Sequence, residues 1–284
     1  MSVTVLKEEE RSVAQETLVL SSPRQRARVP SKATSRLLTV LPPLILGLVL
    51  LIGWYSGTSS GVVPVYQLPT IASVGSALWD GLTSGLFLSN AWVTLQESLG
   101  GFLIAVVIGL PVAYGLARWR PFAATVQPYL AAGQAVPAIV IAPFLELWLG
   151  YDLGPKLAIC FLVVFFALVI TSAYGFQSID RSLMDAARVE GASFWPMLTR
   201  IEFPLALPAI MAAVRTGLTL SITGALVGEF VAGGSDGLGA LVEYAKSQYD
   251  LAQMFALVII LALLAALLYG ITRGLTRLTE AIYG

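Results

Sequence analysis

The sequence predicts an all-α, polytopic membrane protein with about six transmembrane helices, and three observations carry that expectation. Hydrophobic residues make up 57% of the 284 residues and charged residues only 12%, against about 45–50% and about 25% in an average soluble domain. The apolar residues gather in runs near the roughly 20 residues a helix needs to cross a hydrocarbon core of about 30 Å. Lys and Arg divide unevenly between the segments that join those runs, fourteen on one side against two on the other. That asymmetry predicts an orientation.

Residues 1–36, with "EEER" and "SSPRQRARVPSK", are polar and charged. Such a stretch buries too little apolar surface to fold alone, so it reads as a mostly disordered cytoplasmic tail. A cleavable leader would carry a shorter apolar core nearer the start. The first span covers 37–56. Residues 57–91 form an external segment in which "LPTIASVGSALWDGLTSGLF" sets Ile71, Val74, Leu78 and Leu82 at helical spacing, which predicts a helix lying along the outer surface.

Span 2 covers 92–117, and span 3 covers 122–148, where Pro128, Pro137 and Pro143 predict kinks or a broken helix. Spans 4, 5 and 6 cover 156–176, 204–230 and 251–272, and 277–284 form a short cytoplasmic tail. The loop "GGSDGLGALVEYAKSQYD" before span 6 is glycine-rich and then helix-like. With the N-terminus inside, Arg118, Arg120, Arg181, Arg188, Arg200, Arg273 and Arg277 join the basic tail on the cytoplasmic side. Only Lys156 and Lys246 face out. Both termini are then cytoplasmic.

The residues that are missing exclude several chemistries. There is no histidine, which removes imidazole acid–base catalysis and His metal sites together. The one cysteine, Cys160, lies in the apolar run "AICFLVVFFALVI" and reads as a small buried residue. No G-x-x-x-x-G-K-[ST] phosphate loop is present, nor a serine-nucleophile elbow or zinc-protease helix. An enzyme reading of this chain is poor, and no cofactor or metal is expected in it.

One stretch interrupts the membrane-like pattern, "SIDRSLMDAARVEGASFWPMLTRIEFPLALP" at 178–208. "SLMDAARVEG" predicts a compact helix closed by Gly191, a residue suited to a C-terminal cap. "SFWPMLTRIEFP" predicts a second helical segment, with Ser193 at its N-cap and Pro204 ahead of span 5. Asp185, Arg188 and Glu190 are too costly to sit in lipid, so the segment lies in the cytoplasm. It is either an interfacial connection or a surface that another protein grips.

This segment resembles the signature loop of ABC-importer permeases, Glu-Ala-Ala, three residues, Gly, nine residues, then Ile-x-Leu-Pro. Here the matching residues are Asp185, Ala186 and Ala187, then Gly191, then Ile201 and Pro204. Asp185 stands for Glu and Phe203 for Leu, and both changes keep chemical character. The resemblance extends over residues 90–275 and implies a type I permease core of five helices (92–276, with the coupling loop at 178–204), preceded by one extra helix. It further implies that 178–204 holds the coupling helix, which docks on a separate ATP-hydrolysing subunit. Ala186, Ala187 and Gly191 then permit close approach, Asp185 supports the turn or touches the ATPase, and Phe194, Ile201 and Pro204 complete the docking element.

The implied partners are two ATPase subunits that bind ATP and Mg, a second copy of this chain or a related permease, an external solute-binding protein and the lipid bilayer; no nucleic acid is expected. The implied location is the bacterial inner membrane. Further segments, "PFLELWLGYDLGPK", "GFQSID" and "GEFVAGGSDGLG", resemble the nitrate/sulfonate/taurine group of permeases. Within that group, "AAGQAVPAIVIAPFLELWLGYDLGPKL" with "GEFV" looks most like permeases for riboflavin or hydroxymethylpyrimidine-type thiamine precursors. The expected cargo is therefore a heteroaromatic vitamin precursor, with a small anion (nitrate, a sulfonate, taurine or bicarbonate) as the alternative. An ion-driven secondary transporter and a scaffold without cargo are the rival classes.

Polar residues inside spans are the candidates for a translocation pathway. They are Glu97 in span 2, Gln134 in span 3, Arg215 near the middle of span 5, and Glu229 at its outer mouth. Arg215 and Glu229 lie about 21 Å apart along one helix, so they do not simply neutralise each other. For Arg215 and Glu97, pairing inside the bundle and contact with cargo both stay open. Gly100, Gly101, Gly109 and Gly115 read as positions of close helix packing.

Overall fold

The computed structural model describes residues 32–232, 234 and 236–283, with side chains described between residues 41 and 272. The chain divides into two units, residues 1–54 and 55–284. In the first, helix α1 (Lys32–Ser59) carries the sequence into the second and holds Pro42 and Pro43 inside it. Its stretch Leu41–Ser59 is apolar enough to cross a membrane. The tail expected at 1–36 lies outside the described residues as far as 31, and residues 32–36 open α1 instead.

The second unit is helical, and no strand occurs among the described residues. Helix α2 (Ile71–Thr83) forms where a helix was expected; the Thr70 hydroxyl oxygen accepts from the Ser73 N–H at 3.1 Å and caps its N-terminus. Val74 is buried and Leu78 and Leu82 half-buried, so most of the spaced apolar face turns inward, while Ile71 at its start is exposed. Helix α3 (Leu86–Arg118) starts six residues earlier than the expected span. The left-handed Gly85 turns the chain directly from α2 into α3, which shortens the connection expected at 57–91.

The third expected span is two helices, α4 (Arg120–Ala135) and α5 (Ala138–Leu149), bent by 99° at Val136–Pro137. At 16 and 12 residues, each is too short to cross alone. Pro137 breaks the chain because it follows a residue that its ring pushes out of the helical region; Val136 has φ −84° and ψ 119°. Pro128 and Pro143 stay inside their helices. Among the described residues five helices are long and apolar enough to cross, and the bent pair counted as one span makes six.

Helix α6 (Leu153–Gln177) is the centre of the bundle and packs most extensively against α3 and the long helix α8. Ile159, Cys160, Val164, Leu168 and Val169 on it are fully buried. Glycines let the neighbours close in: a Cβ on Gly101 would lie 2.5 Å from the Cys160 side chain, and one on Gly224 2.7 Å from its Cα. Gly100 and Gly109 meet Leu157 and Leu168 at similarly short range. In a membrane, where apolar burial separates no helix from lipid, such close approach supplies much of the association.

Helix α7 (Arg181–Val189) follows α6. Contrary to expectation, the next segment and span 5 are one continuous helix, α8 (Phe194–Val231). Ser193 occupies its N-cap position, but no hydroxyl cap bond forms. Pro196 falls in the first turn, whose N–H groups have no helical partner anyway. Pro204 is accommodated by a π-helical turn at Met197–Glu202, closed by the Phe203 N–H bonding to the Leu198 carbonyl. The wider turn moves backbone carbonyls away from the proline ring that would otherwise clash with them. Helix α9 (Leu238–Ser247) and helix α10 (Leu251–Tyr283) complete the chain; α10 continues through residues expected as a tail from 277.

Candidate functional site

The α7 segment is assembled from local rules. The Asp180 carboxylate accepts from the Ser182 N–H at 2.9 Å and caps its start. At its end the Ala192 N–H bonds to the Ala187 carbonyl and the Gly191 N–H to the Arg188 carbonyl, both at 3.0 Å. That pair of bonds is a Schellman stop, and it requires a left-handed residue. Gly191 supplies it with φ +86°, and a Cβ there would meet nothing within 4 Å. The glycine is thus demanded by the backbone, not by crowding within this chain.

Met184 and Ala187 point inward and join a cluster with Phe176, Ile179, Met197, Ala206 and Ile210. The opposite face carries exposed Leu183, Asp185, Ala186, Arg188 and Val189, the last 89% exposed. Phe194 and Trp195, edge to face at 5.5 Å, extend this surface past Gly191.

The seven residues expected to dock a partner therefore divide. Asp185, Ala186, Gly191 and Phe194 are exposed; Ala187 is buried, and Ile201 and Pro204 are half-buried within the chain. Ala187 and Ile201 pack on the cluster that seats α7 against the spans, so a direct docking role does not suit them. Leu183 and Val189 take the exposed apolar positions instead. Helical periodicity running through the buried Met184 and Ala187 already separates the two faces, one residue out of step with the motif. Asp185 makes a 2.9 Å ion pair with Arg188 one turn on, both largely exposed.

Behind α7 lies a charge pair that the sequence reading passed over. Arg118, the last residue of α3, meets Glu202 of the π turn at 3.1 Å. Glu202 is 2% exposed. The Tyr114 side chain borders both charges and packs its ring on Phe176 and Phe194 at 5.3 and 6.2 Å. Arg118 also reaches the Met184 sulfur at 3.9 Å. The only sequence signal for this site is a glutamate at the free position of the Ile-x-Leu-Pro pattern.

At the far end, Glu97 and Glu229 stand in a second buried network. Lys156 Nζ donates to Glu97 Oε1 at 2.8 Å and to the Asp236 carbonyl at 3.4 Å. The Thr94 hydroxyl donates to Glu229 Oε1 at 2.6 Å. Three consecutive backbone N–H groups at the start of α9 are held in turn: Gly237 by Asn90 Oδ1 at 2.7 Å, Leu238 by Thr94 Oγ1 at 2.9 Å, and Gly239 by Glu229 Oε2. A helix N-terminus offers unsatisfied donors and a partial positive charge, and a carboxylate answers both. Lys156, counted from sequence as an external charge, is itself buried here.

Gln134 and Arg215 lie elsewhere. Gln134, near the C-terminal end of α4, lines a cavity of about 440 Å³ at the α4–α5 bend, with Pro137, Ile141, Leu162, Phe166 and Leu220. Arg215 is half-buried midway along α8, one turn and a residue before Leu220. The structure thus brings Glu97 and Glu229 together, keeps Gln134 at the cavity, and sets the residues expected to dock a partner at the opposite end. Among the described residues no cluster of His, Cys, Asp and Glu suits a metal ion.

Comparison with known proteins agrees with this arrangement. A family model described as binding-protein-dependent transport system inner membrane component matches residues 105–281. The riboflavin transport system permease protein of Chloroflexus aurantiacus is 39% identical over 231 residues, which cover 81% of this chain and 86% of that one. The formylaminopyrimidine transport permease protein of Halalkalibacterium halodurans is 29% identical over 224 residues, 79% and 88% of the two chains. Among solved structures, an inward-facing form of the MetNI methionine ABC transporter superposes with a TM-score of 0.62 at 22% identity, covering 68% of this chain and 96% of that one. That likeness concerns the fold.

Proposed function

Because the chain belongs to the family of binding-protein-dependent transport system inner membrane components, the multi-pass permeases of ABC importers, we propose that it moves a flat heteroaromatic vitamin precursor inward across the bacterial inner membrane. Such a permease works with ATP-hydrolysing and substrate-binding partners. In this reading two permease chains line the path between them, and both termini face the cytoplasm. Two ATPase subunits, which bind ATP and Mg, grip the exposed faces of the two α7 helices at Leu183, Ala186 and Val189. ATP-driven closure of the ATPases draws the α7 helices together and opens the path outward; hydrolysis resets it.

The observation that carries the cargo class is the likeness to the riboflavin permease, spread over four-fifths of both chains. The cavity at the α4–α5 bend is compatible with it. About 440 Å³ falls within the roughly 300–1,000 Å³ of small-molecule sites. Phe166 offers a ring face and Gln134 an amide that both donates and accepts, the pairing that a flat heterocycle needs. Arg215, midway along α8, gates or neutralises the path.

The test is to purify the solute-binding protein that works with this permease and titrate it with riboflavin, hydroxymethylpyrimidine, taurine, an alkanesulfonate and nitrate. The assembled transporter in proteoliposomes is then assayed with the ligand that binds. Tight binding and ATP-dependent uptake of a heteroaromatic compound are expected. Selective uptake of nitrate or a sulfonate overturns the cargo class, and uptake that an ion gradient drives without ATP overturns the whole reading.

A further inference from the structure

We propose that Glu202, held by Arg118 and Tyr114, is a positioning residue that transmits the movement of α7 into the bundle. The inference rests on the importer reading above. Three observations carry it. First, α7 is joined to the long helix α8 through a turn of four residues, and the first full turn of α8 is the π turn Met197–Glu202. A π turn has one extra residue per bonded ring and interrupts the regular ladder, so it is the section of α8 where deformation costs least.

Second, the contacts that seat α7 on the bundle are almost all apolar: Met184 and Ala187 against Phe176, Ile179, Met197 and Ile210. Apolar contacts are non-directional, so such a face slides as readily as it pushes. Third, one charged link spans the deformable section, and its attraction holds as the apolar face slides. The Arg118 guanidinium touches α7 through the Met184 sulfur at 3.9 Å and the end of the π turn through Glu202 at 3.1 Å, while its backbone terminates α3. A single side chain thus meets the docking helix, the flexible turn and a transmembrane helix. Burial of Glu202 to 2% exposure keeps solvent from weakening that link on its carboxylate side.

Without the link, movement of α7 is absorbed in the π turn and α3 stays behind. The ATPase still binds and hydrolyses, but its work no longer follows the state of the binding protein. Glu202 therefore acts on transport through α3 and α7, and touches neither cargo nor nucleotide.

The experiment uses the whole transporter, permease with ATPase in proteoliposomes, with the loaded binding protein added outside. ATP hydrolysis is measured with and without that protein, uptake is measured in parallel, and assembly and thermal unfolding are checked on the same preparations. For Glu202→Gln and for Arg118→Gln the binding-protein stimulation of hydrolysis is expected to fall about two- to thirtyfold, the range of known coupling perturbations. ATP consumed per molecule imported should rise by a similar factor. Arg118→Lys, which keeps the charge and loses the planar fork, should fall in between.

Tyr114→Phe removes only a hydroxyl, and it keeps the test open if the charge variants fail to assemble; it should lower the stimulation with no change in unfolding temperature. Wild-type stimulation in an assembled Glu202→Gln complex overturns the proposal. So does loss of assembly in both charge variants together with full coupling in Tyr114→Phe, because Glu202 is then merely structural. A wild-type complex without ATP-dependent uptake fails the importer reading instead, whereas equal coupling in wild type and variants fails this inference alone.

Discussion

Glu97 and Arg118 stand 21 positions apart on α3, about 31 Å at the helical rise and near the thickness of a hydrocarbon core. Each meets an opposite charge from another part of the chain, yet the two pairs are built differently. At the far end Lys156 and Glu97 are both almost fully buried, and the side chains around them hold three backbone N–H groups at the start of α9. The links there join regular helix or the capped start of one, apart from the bond of Lys156 to the Asp236 carbonyl just before α9. At the α7 end Glu202 is buried but Arg118 is a quarter exposed, and the acid sits on a π turn. Full burial on regular elements makes a static clamp. Partial exposure beside a deformable turn makes a strut that shifts without being lost.

The largest effect should come from breaking the clamp. Lys156→Met leaves Glu97 charged and unpaired in the bundle, and removing one partner of a buried pair typically costs about 3–5 kcal/mol. Thermal unfolding of the detergent-purified transporter should show a marked loss, and the double variant Lys156→Met with Glu97→Gln should recover much of it. Arg118→Met should destabilise less, because water reaches the space beside Glu202. Equal losses at the two ends would dissolve the distinction between clamp and strut.

A middle-sized effect separates the two faces of α7. Ala187 packs into the apolar cluster and Ala186 faces out. Ala187→Arg forces a charge into that cluster and should unseat α7, lowering the unfolding temperature before any partner is added. Ala186→Arg should leave the unfolding temperature within error and abolish pull-down of the ATPase. The reverse pattern would mean that α7 docks through the opposite face.

The contrast between the ends also explains what the sequence could tell. The spans and the helices at Ile71–Thr83 and Arg181–Val189 were legible because each rests on hydropathy length, helical period or a cap, all local signals. The break at Pro137 was legible as one of three prolines, but which proline breaks the chain depends on whether neighbouring helices accommodate the bend. The merging of two expected helices into α8 was hidden, since a π turn has no composition of its own. Both charge networks were hidden for a different reason. Lys156 reads as an external charge until Glu97, 59 residues away in sequence, is seen at 2.8 Å. Glu202 likewise filled a free position in a motif until Arg118 appeared beside it. Lone charges in apolar sequence announce a partner without naming it.

The smallest effect belongs to the exposed ion pair on α7. Asp185 and Arg188 lie one turn apart, 2.9 Å between charged atoms and both more than half exposed. Such surface pairs contribute about 0–1 kcal/mol, and within a helix about 0.3–0.5. Asp185→Asn should therefore leave the unfolding temperature unchanged. Any loss of ATPase association in that variant then measures contact across the interface and nothing inside this chain. A fall in association that 0.5 M salt reproduces in the wild type would make Asp185 a charge contact of the ATPase. Unchanged association at both salt concentrations would confine docking to the apolar residues Leu183, Ala186 and Val189, and would leave the buried pair behind them as the charged element through which α7 acts.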